Sequence, residues 1–243
     1  MSGLALMPVA DATIVEPQSK VAALRPSEYT AALIQALRAR ADWVRDAEAL
    51  EIGSGSGVVL AAIGRLGAAS LCGVDIEGVA VASGNFLLHT MGFAGRTALY
   101  CGDMWRPVAG RRFDLIAANL PQFPMQPLGY GDRLPSWSSG GSDGRRLLDR
   151  LLERLAAHLA PGGRALLTHN GFVGLDKTRE MLRRDGLALR VAATVLVYLA
   201  EEKLDLMTPD VLRAEEGHSI YRYGSHAFAE MHVVEIGADV SLD

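Results

Sequence analysis

Residues 49–60, Ala-Leu-Glu-Ile-Gly-Ser-Gly-Ser-Gly-Val-Val-Leu, constrain what this chain can fold into more than any other stretch. A short apolar run ends in three alternating glycines and leads into a second apolar segment, a pattern that reads as strand, tight turn and helix. Glycines let a ligand approach the backbone closely, and the start of the following helix presents N–H groups to polar ligand atoms. A dinucleotide-binding turn wants glycine at its first, third and sixth positions. Here those positions hold Gly53, Gly55 and Val58, with the third glycine at Gly57 and an acid, Glu51, in front.

From residue 48 onward strand-like and helix-like segments alternate, which predicts a parallel sheet covered on both faces by helices, an α/β fold. Strands are expected at 48–52, 70–75, 97–101, 113–118, 164–169, 187–199 and 229–236. Ala32, Leu33, Ala36 and Leu37 repeat at helical spacing behind Pro26 and Ser27, which mark a helix start. A helix is also expected over 76–89. Leu148, Leu151, Leu152, Leu155 and Leu159 share one helical face ahead of Pro161-Gly162-Gly163. Residues 1–24 show no sustained period and read as an N-terminal arm with a short strand near 13–15. Residues 25–243 read as a single domain with two aperiodic stretches. One, 122–144, leaves the carboxyl end of a central strand and is expected to be a substrate lid. The other, 201–228, is expected to be an irregular insert.

The chain has 243 residues, enough to bury one large core. Its 24 basic and 28 acidic residues give a net charge of −4, without the basic block that marks a phosphate-backbone binder, so nucleic acid is not favoured as a partner. The two cysteines, Cys72 and Cys101, fall in or beside expected buried strands and read as core thiols, with no metal site or disulfide framework implied. The first ten residues lack a basic start and contain Pro8, unlike a secretory signal or a membrane span. A cytoplasmic protein with no membrane contact is the expectation.

Three acids and amides stand at expected strand ends. Asp75 can accept both hydroxyls of a ribose, or simply cap the next helix. Asp103, between Gly102 and Met104-Trp105, can accept from an adenine amine while its neighbours cover the ring, or be a turn residue. Asn119, before Leu120-Pro121, offers its side-chain oxygen beside the Leu120 carbonyl. Two acceptors in fixed geometry suit an N–H₂ group whose nitrogen must point its lone pair at an electrophilic carbon. His169 ends a strand and can serve as a base or as a structural hydrogen-bonding group. The insert brings His218, Tyr221, Tyr223 and His226 together as a possible aromatic wall for a cationic amine, or as a loop packed on itself.

Taken together, residues 25–30 (Arg-Pro-Ser-Glu-Tyr-Thr), 51–57, Val74-Asp75, Asn85, Gly102-Asp103-Met104-Trp105, Asn119-Leu120-Pro121-Gln122 and Gly140-Gly141-Ser142-Asp143-Gly144 resemble the HemK-like glutamine methyltransferases in order and rough spacing. The resemblance covers about residues 25–170. It implies a class I methyltransferase fold, Rossmann-like, with a mostly parallel seven-stranded sheet whose last strand is antiparallel, and S-adenosylmethionine as cofactor. On that basis Glu51, Gly53, Ser54, Gly55, Gly57, Asp75, Ile76, Asp103, Met104, Trp105 and Asn119 fall on the cofactor, and Asn119, Leu120 and Pro121 form the catalytic motif. Arg25, Tyr29, Gln122, Phe123, Tyr130, Trp137, His169 and Tyr221 are the candidates for the acceptor side.

The family's Asn-Pro-Pro-Tyr motif is altered twice here. Leu120 replaces the first proline and keeps the carbonyl; Gln122 replaces the tyrosine and removes a ring that would stack on a planar acceptor. About two dozen residues precede Arg25, where the family's release-factor enzymes have a helical domain. The expectation is therefore methyl transfer to nitrogen of a small-molecule amine or amide. Methylation of a protein glutamine is the alternative, followed by an NAD-dependent oxidoreductase and a non-catalytic binding module of the same fold.

Overall fold

A computed structural model describes residues 26–126 and 139–238. The N-terminal arm with its expected strand, Arg25, and the loop interior bearing Tyr130 and Trp137 lie outside the described residues.

The fold begins with helix α1 (Glu28–Ala39), capped by Ser27, and a single turn α2 (Ala41–Val44). Two strand-and-helix units follow, β1 (Glu48–Ile52) with α3 (Val58–Arg65) and β2 (Ser70–Asp75) with α4 (Gly78–Thr90), and then β3 (Thr97–Cys101) leads to β4 (Phe113–Ala118). Beyond the loop come α5 (Arg146–Leu152), α6 (Leu155–His158), β5 (Leu159–Asn170), α7 (Leu175–Arg184) and β6 (Ala188–Leu199). The chain ends with α8 (Glu201–Asp205), α9 (Pro209–Glu215), β7 (Ile220–Tyr223) and β8 (His226–Gly237).

The sheet order is β3-β2-β1-β4-β5-β8-β6, with β7 added on β8. Pairing is parallel from β3 to β5, and β8 alone runs against its neighbours. This is the mostly parallel α/β sheet that the alternation predicts and the Rossmann-like form that the resemblance implies, with eight strands in place of seven because β7 (Ile220–Tyr223), within the insert, pairs with β8. Buried parallel strands need apolar residues on both faces, and β1 shows why. Leu50 and Ile52 join Cys72, Val74, Ile116 and Ala118 on the face covered by α5, while Ala49 joins Leu71, Leu115 and Ala117 on the face covered by α1 and α3.

Four expectations are revised. The leucine-rich helix is two pieces: α5 stops at Leu152, and Leu159 already pairs with Phe113 as the first residue of β5. Pro161-Gly162-Gly163 does not end a helix but forms a shift in strand register between the Phe113 and Leu115 pairs. The insert 201–228 is ordered as α8, α9 and β7, with Leu204, Met207 and Ile220 buried in the core. Cys72 is buried, but Cys101 is exposed because β3 is a sheet edge rather than a central strand. Among the described residues no helix is long and apolar enough to cross a membrane.

Candidate functional site

Strand order reverses between β1 and β4, and open α/β sheets bind ligands at the carboxyl ends of strands beside such a point. A cavity of about 340 Å³ lies there. Its walls come from the ends of β1 (Ile52, Gly53), β2 (Val74, Asp75, Ile76), β3 (Gly102, Asp103, Met104), β4 (residues 119–123) and β5 (Asn170), with Tyr29 from α1 and Lys203 from α8.

The glycine turn is stitched to the end of β2. Gly53, Gly55 and Gly57 have φ of 74°, 50° and 77°, a region that side chains other than glycine's rarely occupy. Gly53 N–H donates to the Val74 carbonyl at 2.8 Å, and Gly55 N–H donates to Asp75 Oδ2 at 2.8 Å. A Cβ at Gly53 would come within 2.8 Å of Leu120 Cδ2, so bare backbone keeps open the gap between turn and motif. Gly57 serves helix packing instead, because its Cα side lies against Gly84 of α4, whose Cα is 3.0 Å from where a Cβ would stand.

Asp75 is buried and accepts a second N–H, from Glu77 at 2.9 Å. Burial raises its pKa, and the Glu77 and Gly55 amides pull against that rise. Each carboxylate oxygen retains acceptor capacity toward the cavity, so capping the turn and accepting hydroxyls are compatible. Glu51 lies behind the turn, not in the cavity wall, on the sheet face that α3 covers. Burial raises its pKa well above the ordinary range, with the Leu60 N–H lowering it and the Asp75 charge raising it; its Oε2 and the Ser54 hydroxyl have no hydrogen-bond partner.

Asp103 stands at the cavity rim, about half exposed, with Oδ2 at 2.6 Å from Arg150 Nη2. Met104 lines the cavity with φ of 49°, and the reversal it imposes sends Trp105 into the core. There Trp105 stacks on His158 at 4.2 Å and donates to the Arg150 carbonyl at 3.3 Å. It therefore does not cover a ring in the cavity, contrary to expectation.

The Asn119 motif is anchored by β5. Regular pairing of β4 with β5 ends at Ala118 and Leu167, which sets Thr168 beside Asn119. The Thr168 hydroxyl donates to Asn119 Oδ1 at 2.8 Å. Gln122 then continues the ladder with its side chain: Nε2 donates to the Thr168 carbonyl at 2.7 Å, and Oε1 accepts the Asn170 N–H at 2.9 Å. Both ends of that amide are spent on main chain, so Gln122 is a clamp and not a free group for an acceptor. Asn170 in turn accepts from the Tyr29 hydroxyl at 2.7 Å, which ties α1 to the cavity. Phe123 is buried, edge-on to Phe172 at 6.0 Å, with Lys203 Nζ 4.7 Å from its ring centroid.

Sequence reading misses Thr168 and Asn170, noticing only His169 between them. Strand alternation turns His169 to the opposite face, where it is fully buried. Its Nδ1 is 2.9 Å from the Asn170 carbonyl and its Nε2 is 2.8 Å from Thr178 Oγ1. Burial, with the Arg145 charge adding to it, lowers its pKa to about 3. His169 is thus neither a base for the cavity nor an acceptor contact. Tyr221 is likewise remote: its hydroxyl is 2.5 Å from the His218 carbonyl and 3.0 Å from Glu230 Oε1, in the β7 hairpin.

The depressed His169 value has a stability consequence. The unfolded chain binds this proton near pH 6.5 and the folded chain does not, so stability is complete above 6.5 and falls as pH drops toward 3, by about 1.4 kcal/mol per unit. Urea unfolding between pH 7.5 and 4.5 should show a steeper loss in the native protein than in His169→Gln. Equal slopes would refute the assignment.

A family model described as Ribosomal protein L11 methyltransferase (PrmA) matches residues 28–125. The "Putative protein N5-glutamine methyltransferase" of Methanocaldococcus jannaschii is 29% identical over 164 residues, 65% of this chain and 79% of that protein. The Release factor glutamine methyltransferase of Xylella fastidiosa Temecula1 is 29% identical over 174 residues, 68% of this chain and 62% of that protein. Across the release-factor enzymes it matches, this chain spans 43% to 67% of their length. Among solved structures, the T. thermophilus 16S rRNA methyltransferase RsmC in complex with AdoMet and guanosine shares the fold with a TM-score of 0.53 at 18% identity, covering 88% of this chain and 44% of that one.

These relatives overturn one expectation, that a small-molecule acceptor is favoured over a protein: several of them carry names that specify protein or release-factor glutamine. The altered Gln122 position weighs in that expectation, and Gln122 proves to be a structural clamp. Glycine turn, sheet order and relatives agree: the chain is a class I S-adenosylmethionine-dependent methyltransferase similar to the HemK-like enzymes, and S-adenosylmethionine is its cofactor.

Proposed function

We propose that this enzyme methylates the side-chain amide nitrogen of glutamine in a protein, and that it does so in the cytoplasm. The observation that carries the reading is the pair of acceptors at the end of β4, Asn119 Oδ1 and the Leu120 carbonyl, on the wall of the cavity that Asp75 and Gly53 also line. The names of the relatives support it.

The cofactor supplies a methyl group activated on a sulfonium sulfur. In this reading Asp75 accepts its ribose hydroxyls, and the bare backbone at Gly53 admits it beside Leu120. Asn119 Oδ1 and the Leu120 carbonyl each accept one hydrogen of the amide N–H₂, which aims the nitrogen into the cavity and favours the positive charge that develops on it. Thr168 uses one lone pair of Asn119 Oδ1 and leaves the other. The amide of Asn119 cannot rotate without losing that bond. With His169 sealed on the far face, the two acceptors orient and polarise the N–H bonds, and the proton that the methylated nitrogen must lose passes to water.

The deciding experiment is transfer of labelled methyl groups into a cell extract, followed by peptide mass spectrometry. Added mass of one methyl on a glutamine side chain supports the proposal; label confined to small molecules, or to other side chains, sinks it. Thr168→Val keeps side-chain shape and removes one neutral hydrogen bond, about 1 kcal/mol. Methyl transfer should fall about fivefold, in step with loss of amide orientation, while binding of S-adenosylhomocysteine stays unchanged by calorimetry. Weakened cofactor binding in that variant would contradict a positioning role.

A further inference from the structure

Six large hydrophobic side chains are exposed among the described residues, and three of them, Val195, Leu196 and Tyr198, lie on β6 at one sheet edge; a fourth, Tyr223, is on β7, which pairs with the opposite side of β8. Phe228 links the two strands, with ring centroids 5.7 Å from Tyr198 and 5.9 Å from Tyr223. β6 is the terminal strand of the sheet, and among the described residues nothing pairs with its outer side. Residues 191–200, Val-Ala-Ala-Thr-Val-Leu-Val-Tyr-Leu-Ala, contain no charge, proline or glycine, and five in succession, 192–196, are exposed. Proteins ordinarily protect such edges with charges, prolines or bulges, because the free N–H and C=O groups invite another strand. The single irregularity here, between Val191 and Ala193, leaves 193–199 in unbroken register.

The two ends of β6 differ in charge. At its start Arg40 and Arg190 share one buried carboxylate, Glu235, which leaves an excess positive charge. Just past its end stand Glu201 and Glu202, both exposed and without an ion-pair partner among the described residues. Parallel addition of a like strand would set positive end on positive end. Antiparallel addition about a twofold axis sets each positive end against a negative one, and a twofold axis is what a closed pair of identical chains requires. A register centred on Leu196, which sets that residue opposite its own copy, places Arg190 opposite Glu202 of the second copy.

We propose that a second copy of this chain pairs along β6, antiparallel and isologous, joining two sheets into one. The apolar stretch forms the centre of the contact and the charged ends fix its direction. The interface is separate from the methyl-transfer cavity, whose walls include no residue of β6.

Sedimentation of the full chain over a wide concentration range should give a species of twice the chain mass, with association at least tenfold weaker in Val195→Lys. Hydrogen exchange on the native protein provides a readout that needs no variant: amides in residues 193–199 that point outward should exchange more slowly as concentration rises. A monomer at every concentration overturns the proposal, as does a dimer undiminished by Val195→Lys. Protection that does not depend on concentration also overturns it, because the edge is then covered by a segment of its own chain.

Discussion

Replacing Asn119 by alanine should lower methyl transfer by about 100- to 1,000-fold, the range seen when one preorganised polar contact to the reacting group is removed. Asn119 Oδ1 is one of the two acceptors that the end of β4 offers to an N–H₂ group. Without it the amide is held by the Leu120 carbonyl alone and can swing about that single bond. The cofactor contacts proposed for Gly53 and Asp75 lie at the ends of β1 and β2, and the hydrogen bonds that hold those residues do not involve this side chain. Calorimetric titration with S-adenosylhomocysteine should therefore give an affinity within a factor of about three of the native protein, since no cofactor-facing charge or backbone is altered. Methyl transfer retained at half or more of the native rate would remove Asn119 from the mechanism.

Gly144→Ala should lower stability by about 2–5 kcal/mol and the melting temperature by roughly 5–15 °C. Two effects add. Gly144 has φ of 75°, which costs an alanine about 1–2 kcal/mol. Its Cβ would also overlap the Gln122 carbonyl oxygen and approach Val173 Cγ1 to 2.8 Å. The loop returning from 139 is zipped onto the motif, with Gly140 N–H donating to the Phe123 carbonyl at 2.8 Å and Met125 N–H to the Gly141 carbonyl at 3.0 Å, so neither side has room to yield. Gly186 supplies the control. It has φ of 71° and nothing within 4 Å of a Cβ, so Gly186→Ala bears the conformational cost alone. Calorimetric melting that shows equal losses for the two variants would mean the contact with Gln122 is not the cause. Because the clash pushes on Gln122, methyl transfer by Gly144→Ala should also fall at temperatures where the protein is still folded.

The strands and the turn are legible in the sequence because their causes are local. β1, β2 and β4 are short apolar runs, as strands buried on both faces must be, and glycines at 53, 55 and 57 mark φ values that only glycine takes easily. What a side chain faces is decided by register, which one sequence does not contain. Trp105, His169 and Tyr221 each have the chemistry for a binding pocket, and each turns elsewhere: onto His158, onto Thr178 and onto Glu230. Gln122 reads as the loss of an aromatic ring, when its amide is the right length to stand in for a strand residue beside β5. Thr168 is discoverable: once 113–118 and 164–169 are taken as parallel neighbours, the residue after Leu167 must lie beside the residue after Ala118. The helices of the insert, five and seven residues long, are too short to display a period.

The hydrogen bond from Tyr29 to Asn170 spans 141 residues, and those from Thr168 to Asn119 and from Gln122 to Thr168 span 49 and 46. The bond from Gly55 to Asp75 spans 20. A chain emerging from a ribosome can thus assemble its nucleoside-facing corner soon after β2 and β3 appear, while the amide-orienting corner must wait for β5. Tyr29, synthesised before either, cannot donate to Asn170 until the last of these strands arrives. On the proposed roles, any truncation ahead of Asn170 would leave a protein with half an active site, equipped to hold its methyl donor and without the means to aim a recipient.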